Sequence, residues 1–335
     1  MYALPDSPQG TIHSLQIASS LLGANMLGDR TTREVAVYVP NGHSGEGLPL
    51  LVDLAGFTGS GLGHIGWKNF GENLPARLDR LIHEGALPPV VVAFPDCFTR
   101  LGGNQYIDSA AMGPWATYLT TEMLEAVESR FGCGGPGLRA CFGKSSGGYG
   151  SLVHGMLHAD VWSAVACHSG DMAFELCYLP DMPATLRTLQ KKGSIEDFVR
   201  GFEAGPKYSG SDMHVLMTLA MAATYDPAPG AFCGIQLPVD PETCELIAER
   251  WNTWLSWDPV RMMDRHVTAL KSLKGLWIDC GTFDQYNLLY GARRLTRKLC
   301  DTKVPHVYEE FEDNHSGIDY RMDLSLPYLA KALLG

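Results

Sequence analysis

The stretch L-R-A-C-F-G-K-S-S-G-G-Y-G over residues 138–150 constrains the chain more than any other. A short apolar run ends in Gly143-Lys144-Ser145-Ser146-Gly147, a G-x-S-x-G pattern, and a glycine-tolerant helical segment follows. This is the signature of a nucleophile elbow, a strand, a sharp turn and a helix that lift one serine hydroxyl above a sheet. The glycines are steric requirements, because side chains there would collide with the neighbouring strand and helix. The central position of the motif selects Ser145 over its neighbour Ser146 as the candidate nucleophile. The same residues are not the end of a phosphate-binding loop. That loop needs G-x-x-x-x-G-K-[ST], and the first glycine would fall on Leu138, with Gly137 one residue too far.

The surroundings of the motif predict the fold class. Residues 33–40 (REVAVYVP) alternate like a half-buried strand. Residues 48–55 (LPLLVDLA) and 89–94 (PVVVAF) are nearly continuous apolar runs, as are 138–142, 163–167 and 274–280. Such runs suit parallel strands covered on both faces. Helical segments are expected over 73–84, 114–131, 148–158 and 287–300, with Pro114 in a first-turn position. Alternation of this kind implies an α/β fold with a mainly parallel sheet flanked by helices, and ligands at the strand C-termini.

One interval breaks the rhythm. Between Ser169 and about Met263 no core strand is legible, and helical patches are expected at 194–203, 212–223 and 241–257. The expectation is a hydrolase core of residues 1–170 and 263–335 with a helical cap insertion over 171–262. The insertion is rich in aromatics. Phe174, Tyr178, Trp251 and Trp254 are candidates to line an apolar substrate pocket, although packing of the cap onto the body is the commoner use of such residues.

An unassisted serine is a poor nucleophile near neutral pH and needs a base with an orienting partner. In α/β-hydrolases the order along the chain is Ser, then Asp or Glu, then His. Here Leu276 to Asp284 reads as a strand, a Gly-containing loop and an acid, and Phe311 to Gly317 as a strand end with a His in a polar loop. The candidate set is Ser145 as nucleophile, His315 as base and Asp284 as orienting carboxylate. Asp171, after the strand at 163–167, is the alternative acid, and His168 is the rival histidine. The oxyanion hole is expected from the backbone N–H of Ser146 and of Phe57, in the glycine-rich loop 56–63. Lys144 adds positive potential beside the nucleophile or forms a structural ion pair. Asp96, Asn104, Gln105 and Tyr106 follow the 89–94 strand on the same edge.

With these residues in view, the chain resembles the putative-esterase family of α/β-hydrolases, the esterase D and enterochelin esterase-like proteins. The resemblance rests on residues 33–40, Leu50-Leu-Val-Asp-Leu-Ala-Gly-Phe-Thr-Gly59, Phe94-Pro-Asp96, the Ser145 elbow, Gly281-Thr-Phe-Asp284 and Asn314-His315-Ser316. It implies a Ser–Asp–His serine hydrolase without a metal or other cofactor, acting on a small-molecule ester through an acyl-enzyme. An acyltransferase and a noncatalytic binding protein on the same fold are the alternatives. Two positions depart from the family pattern: Ala55 stands where His commonly precedes the loop glycine, and Lys144 where His often precedes the nucleophile.

Composition narrows the partners. The 335 residues carry a net charge of −11, which opposes nonspecific attraction to nucleic acid or an anionic membrane. No apolar run approaches a membrane span. The nine cysteines form no C-x-x-C pair, which reads as free thiols in a reducing compartment. With no signal-peptide pattern at the start, the expected location is cytoplasmic.

Overall fold

The structure is a computed structural model that describes residues 8–335. Eight strands form one sheet: β1 (Thr11–Ala18), β2 (Thr32–Val39), β3 (Leu50–Leu54), β4 (Val91–Pro95), β5 (Arg139–Lys144), β6 (Ala164–His168), β7 (Gly275–Gly281) and β8 (Val307–Phe311). Their spatial order is β1-β2-β4-β3-β5-β6-β7-β8. The β1/β2 and β2/β4 pairs are antiparallel, and every pair from β4 to β8 is parallel. Strands β3, β4 and β6 are buried along their whole length, which explains their unbroken apolar sequences. The edge strand β1 exposes Ile12, Ser14, Gln16 and Ala18 on one side and only half-buries His13, Leu15 and Ile17 on the other, so its sequence gives a weak apolar signal.

Ten longer helices accompany the sheet: α1 (Leu74–His83), α2 (Leu124–Phe131), α3 (Ser146–Leu157), α4 (Met182–Lys192), α5 (Ile195–Ala204), α6 (Gly210–Tyr225), α7 (Ala248–Leu255), α8 (Pro259–Ser272), α9 (Leu288–Asp301) and α10 (Met322–Leu334). Alternating strand residues send side chains to two cores. Leu51, Phe142 and Ala166 pack with Leu78 of α1 and Leu326 and Leu329 of α10. Val52, Cys141 and Val165 face the other way and join Leu152 of α3, Met263 of α8 and Leu295 of α9.

Two expected helices differ from the structure. The segment expected at 114–131 is one continuous helical run from Trp115 to Phe131, but a π-helical turn at Leu119–Met123 separates its first α-turn, Trp115–Tyr118, from α2, and Pro114 is the N-cap residue. The segment 241–257 begins as a turn capped by Asp240 and closed by the Val239–Leu246 bridge, and becomes helical only at Ala248.

Between β6 and β7 the chain makes the helical excursion α4–α7 before α8. The expected boundary at 262 falls inside α8, and α8 packs on α3 as part of the sheet-flanking layer. The reason is local. Asp258 caps α8 by accepting the N–H of Val260 at 3.0 Å. The same carboxylate accepts the N–H groups of Ala173 at 3.0 Å and Phe174 at 3.1 Å, where the excursion begins. One buried side chain thus ties together the two chain segments that enter and leave the excursion. Inside it, Phe174, Tyr178, Tyr225 and Trp254 form an aromatic cluster with centroid separations of 4.7–6.0 Å.

Candidate active site

The turn between β5 and α3 places Ser145 at φ 59°, ψ −124°, a conformation that a residue with a side chain adopts only under constraint. The constraint is visible around it. The Ser145 N–H donates to the His168 carbonyl at 3.0 Å, and its own carbonyl accepts the Tyr149 N–H at 2.8 Å. A Cβ on Gly147 would lie 1.7 Å from the Leu54 carbonyl oxygen, and one on Gly143 2.3 Å from it. Only glycines let the elbow sit this close to β3.

The chain leaving β3 runs directly beside the elbow. A Cβ on Gly56 would stand 3.7 Å from that of Ser145. Gly56, Phe57 and Thr58 line the same cavity as Ser145. Phe57 is fixed by packing on Gly102 and Gly103 and by its carbonyl, which accepts the Gly103 N–H at 2.8 Å. Ser146 begins α3, so its N–H is among those that a helix start leaves without an intrahelical acceptor.

His315 and Asp284 meet across the loops that follow β8 and β7. His315 Nδ1 lies 2.7 Å from Asp284 Oδ2. The partner is a carboxylate, so the bridging proton sits on Nδ1 and Nε2 is left as the basic nitrogen. Asp284 is itself held, because Oδ1 accepts the N–H of Tyr286 at 2.9 Å. The His315 N–H donates to Gln285 Oε1 at 3.0 Å, and the Tyr286 ring meets the imidazole edge-on at 4.8 Å. Ser145 and His315 both face the cavity of about 280 Å3.

Neither competitor joins the His315–Asp284 pair. His168 is buried, with Nδ1 2.8 Å from Asp279 and Nε2 2.9 Å from Ser325 of α10. Asp279 also accepts from Trp277 and Arg321. Asp171 does line the cavity, but its bonds go to Gln105 and Tyr178, not to His315.

Of the four aromatic candidates, Tyr178 lines the cavity. Phe174, Trp251 and Trp254 do not; they are buried in the cluster that seats the excursion on the body. The wall is made instead by Cys177, Met213, His214, Met217, Tyr286 and Leu288. Met213, His214 and Met217 share one face of α6, a helix apolar nearly all round, so no amphipathic stripe marked that face in the sequence.

Lys144 also reaches the cavity, and burial lowers its ammonium pKa, with the Asp319 charge opposing the shift. The polar loop after β4 bonds both within itself and to the segments around it. Asp96 pairs with Arg30 at 3.0 Å, Asn104 bonds Cys97 and Tyr106, and the Tyr106 hydroxyl donates to the Ala55 carbonyl. Among the described residues, no group of three His, Cys, Asp or Glu is arranged to hold a metal, and no helix is long and apolar enough to cross a membrane. All nine cysteines are free thiols.

The sequence matches the family model described as "Putative esterase" over residues 27–326. The chain belongs to that family. It is a carboxylic-ester hydrolase with the α/β-hydrolase fold. Solved structures agree on the fold. A ferulic acid esterase superposes with a TM-score of 0.61 at 17% identity, covering 97% of this chain and 99% of its own. An S-formylglutathione hydrolase from Agrobacterium tumefaciens gives 0.60 at 15% identity, covering 97% and 96%. A fluorophosphonate-binding serine hydrolase from Staphylococcus aureus gives 0.59 at 14%, covering 96% and 99%. Comparison of the sequence with curated proteins finds no match.

Proposed function

We propose that this esterase cleaves small carboxylic esters through an acyl-enzyme on Ser145, with His315 as general base and Asp284 as its orienting carboxylate. The observation that carries the reading is the 2.7 Å contact between His315 Nδ1 and Asp284, with the imidazole facing the cavity that also holds Ser145. In this reading His315 Nε2 takes the Ser145 hydroxyl proton as Oγ attacks the ester carbonyl carbon. The tetrahedral oxyanion accepts from the N–H groups of Phe57 and Ser146. Its collapse expels the alcohol, which leaves with the proton from His315. Water, deprotonated by the same nitrogen, then attacks the acyl carbon and frees the acid and the serine. Asp284 keeps Nδ1 protonated and stabilises the imidazolium that each half-reaction forms. The excursion acts as a cap: Cys177, Tyr178, Met213 and Met217 supply apolar wall over the nucleophile and limit water around the acyl group.

The test is covalent labelling with a fluorophosphonate probe, mapped by peptide mass spectrometry, alongside turnover of a panel of esters. The wild type should carry the label on Ser145. Ser145→Ala should lose the label and turnover of the ester panel while keeping its fold by circular dichroism. Full labelling of that variant would place the nucleophile elsewhere.

A further inference from the structure

The proposed triad leaves Lys144, His214 and Asp171 of the cavity unused, and Asp171 is the only carboxylate among the residues that line it. Asp171 follows β6, is buried, and lines the cavity together with Ser145 and His315. Its inner oxygen, Oδ2, accepts from Gln105 Nε2 at 2.9 Å and from the Tyr178 hydroxyl at 2.8 Å. The same Gln105 nitrogen donates to the Tyr225 hydroxyl at 2.9 Å, and the two tyrosine hydroxyls lie 3.1 Å apart. This network holds the carboxylate from behind. Among the described residues no hydrogen bond engages Oδ1, and that oxygen is not fully buried.

The backing is costly to build. Gln105 and Tyr106 are consecutive residues with side chains at φ 58° and 59°, and Gln105 is fully buried with its own Oε1 unpartnered. Left-handed backbone at such residues is strained and persists where the surroundings enforce it. A buried carboxylate adds a desolvation penalty, and here burial raises the Asp171 pKa against the donors that lower it. Strain and desolvation concentrated on an acid that touches the reaction cavity, and that the triad does not need, point to a ligand.

We propose that Asp171 determines specificity by accepting, through Oδ1, a hydrogen bond from a hydroxyl group on the substrate portion that enters the cavity. This rests on the esterase reading of the site. Phe57, Cys177, Met213, Met217 and Leu288 give that wall a broad apolar surface beside its polar residues, so a hydroxylated aliphatic or aryl group matches it: apolar body, one donor at the end. An ammonium group fits worse. Lys144 already brings positive charge to the cavity, and His315 becomes cationic in each half-reaction.

The experiment measures kcat/KM for methyl alkanoates of graded length, each with its ω-hydroxy, ω-methoxy and ω-amino analogue, for wild type and Asp171→Asn. A methoxy oxygen accepts but cannot donate. In the wild type, the hydroxy ester of matching length should exceed the methoxy ester by about tenfold or more, the scale of a hydrogen bond to a charged acceptor. In Asp171→Asn, the donors behind the residue keep the amide oxygen inward and turn its NH2 to the cavity, so the hydroxy-to-methoxy ratio should collapse towards one. The wild-type arm stands alone if the variant does not fold. Equal rates on hydroxy and methoxy esters at every length would overturn the proposal, as would preference for the amine. A wild-type-like ratio in a folded variant that loses rate on all esters alike would assign Asp171 to structure alone. Failure of every ester would instead count against the esterase reading, and label retained on Ser145 separates the two cases.

Discussion

Ser145 sits in a strained backbone conformation because the elbow, not the residue, dictates it. At φ 59° and ψ −124° the strain is on the order of 1–3 kcal/mol, and glycine would carry less of it. Ser145→Gly should therefore melt higher than the wild type by a few degrees while losing turnover; a lower melting temperature would mean that the side chain contributes packing that outweighs the strain. The three residues of the proposed triad were legible in the sequence because each stands at a place the fold dictates: a turn motif, and two loops after apolar runs. The cavity wall was not. Methionines of α6 carry no directional signal, and the tryptophans that did stand out are buried in the cluster behind Tyr178. Sequence favoured His315 over His168 by the chain order Ser, Asp, His, not by any difference in local pattern. Both lie at or just after strand ends, and only the three-dimensional arrangement shows that one ring is enclosed between Asp279 and Ser325.

Among elements, the helix that starts at the elbow carries a built-in pH dependence. His154 of α3 bonds the Tyr106 carbonyl through Nε2 at 2.8 Å and accepts the Trp162 indole N–H on Nδ1 at 2.8 Å. The neutral ring is satisfied at both nitrogens, and a second proton has no acceptor. Burial, reinforced by His158, pushes the pKa down to about 4. Between that value and the ordinary 6.5 the unfolded chain binds more protons at this site than the folded one, so stability falls as pH drops through the window. The contribution is on the order of 3 kcal/mol. Denaturant unfolding followed from about pH 7 to 4 should show this slope, and His154→Gln should flatten it. An unchanged slope in that variant would place the titration elsewhere. The strands and helices buried on both sides announced themselves in sequence through unbroken apolar runs. Strand β1 did not, because an edge strand with one solvated side needs few apolar residues. The π-turn at Leu119–Met123 was equally silent, since it changes hydrogen-bond partners without changing composition.

At the scale of the molecule, the excursion between β6 and β7 depends on its aromatic cluster. Trp254 is fully buried and its ring meets Tyr178, Tyr225 and Trp251. Trp254→Ala should cost about 3–5 kcal/mol and lower the melting temperature accordingly. It should also make residues 174–257 the first region cut in limited proteolysis; cleavage beginning in the sheet-flanking helices instead would show that the cluster does not hold the excursion down. That excursion was visible in sequence as a missing strand rhythm, while its outer boundary was not, because α8 reads like the helices before it and only its packing on α3 assigns it to the body. The carboxylate of Asp258 gives the arrangement a further meaning. It bonds the backbone at 173 and 174 while capping the helix that begins at 259, so the chain departs from the body and rejoins it at nearly one point. Because departure and return share one anchor, the span between them can lengthen or shorten without moving the two points at which the chain joins the body, while Gln105 and Ser109 steady the part that stays close, at Tyr178, Tyr225 and Ala223. Such a neck lets one hydrolytic scaffold acquire new selectivity through the piece it carries, without renegotiating the geometry of its chemistry.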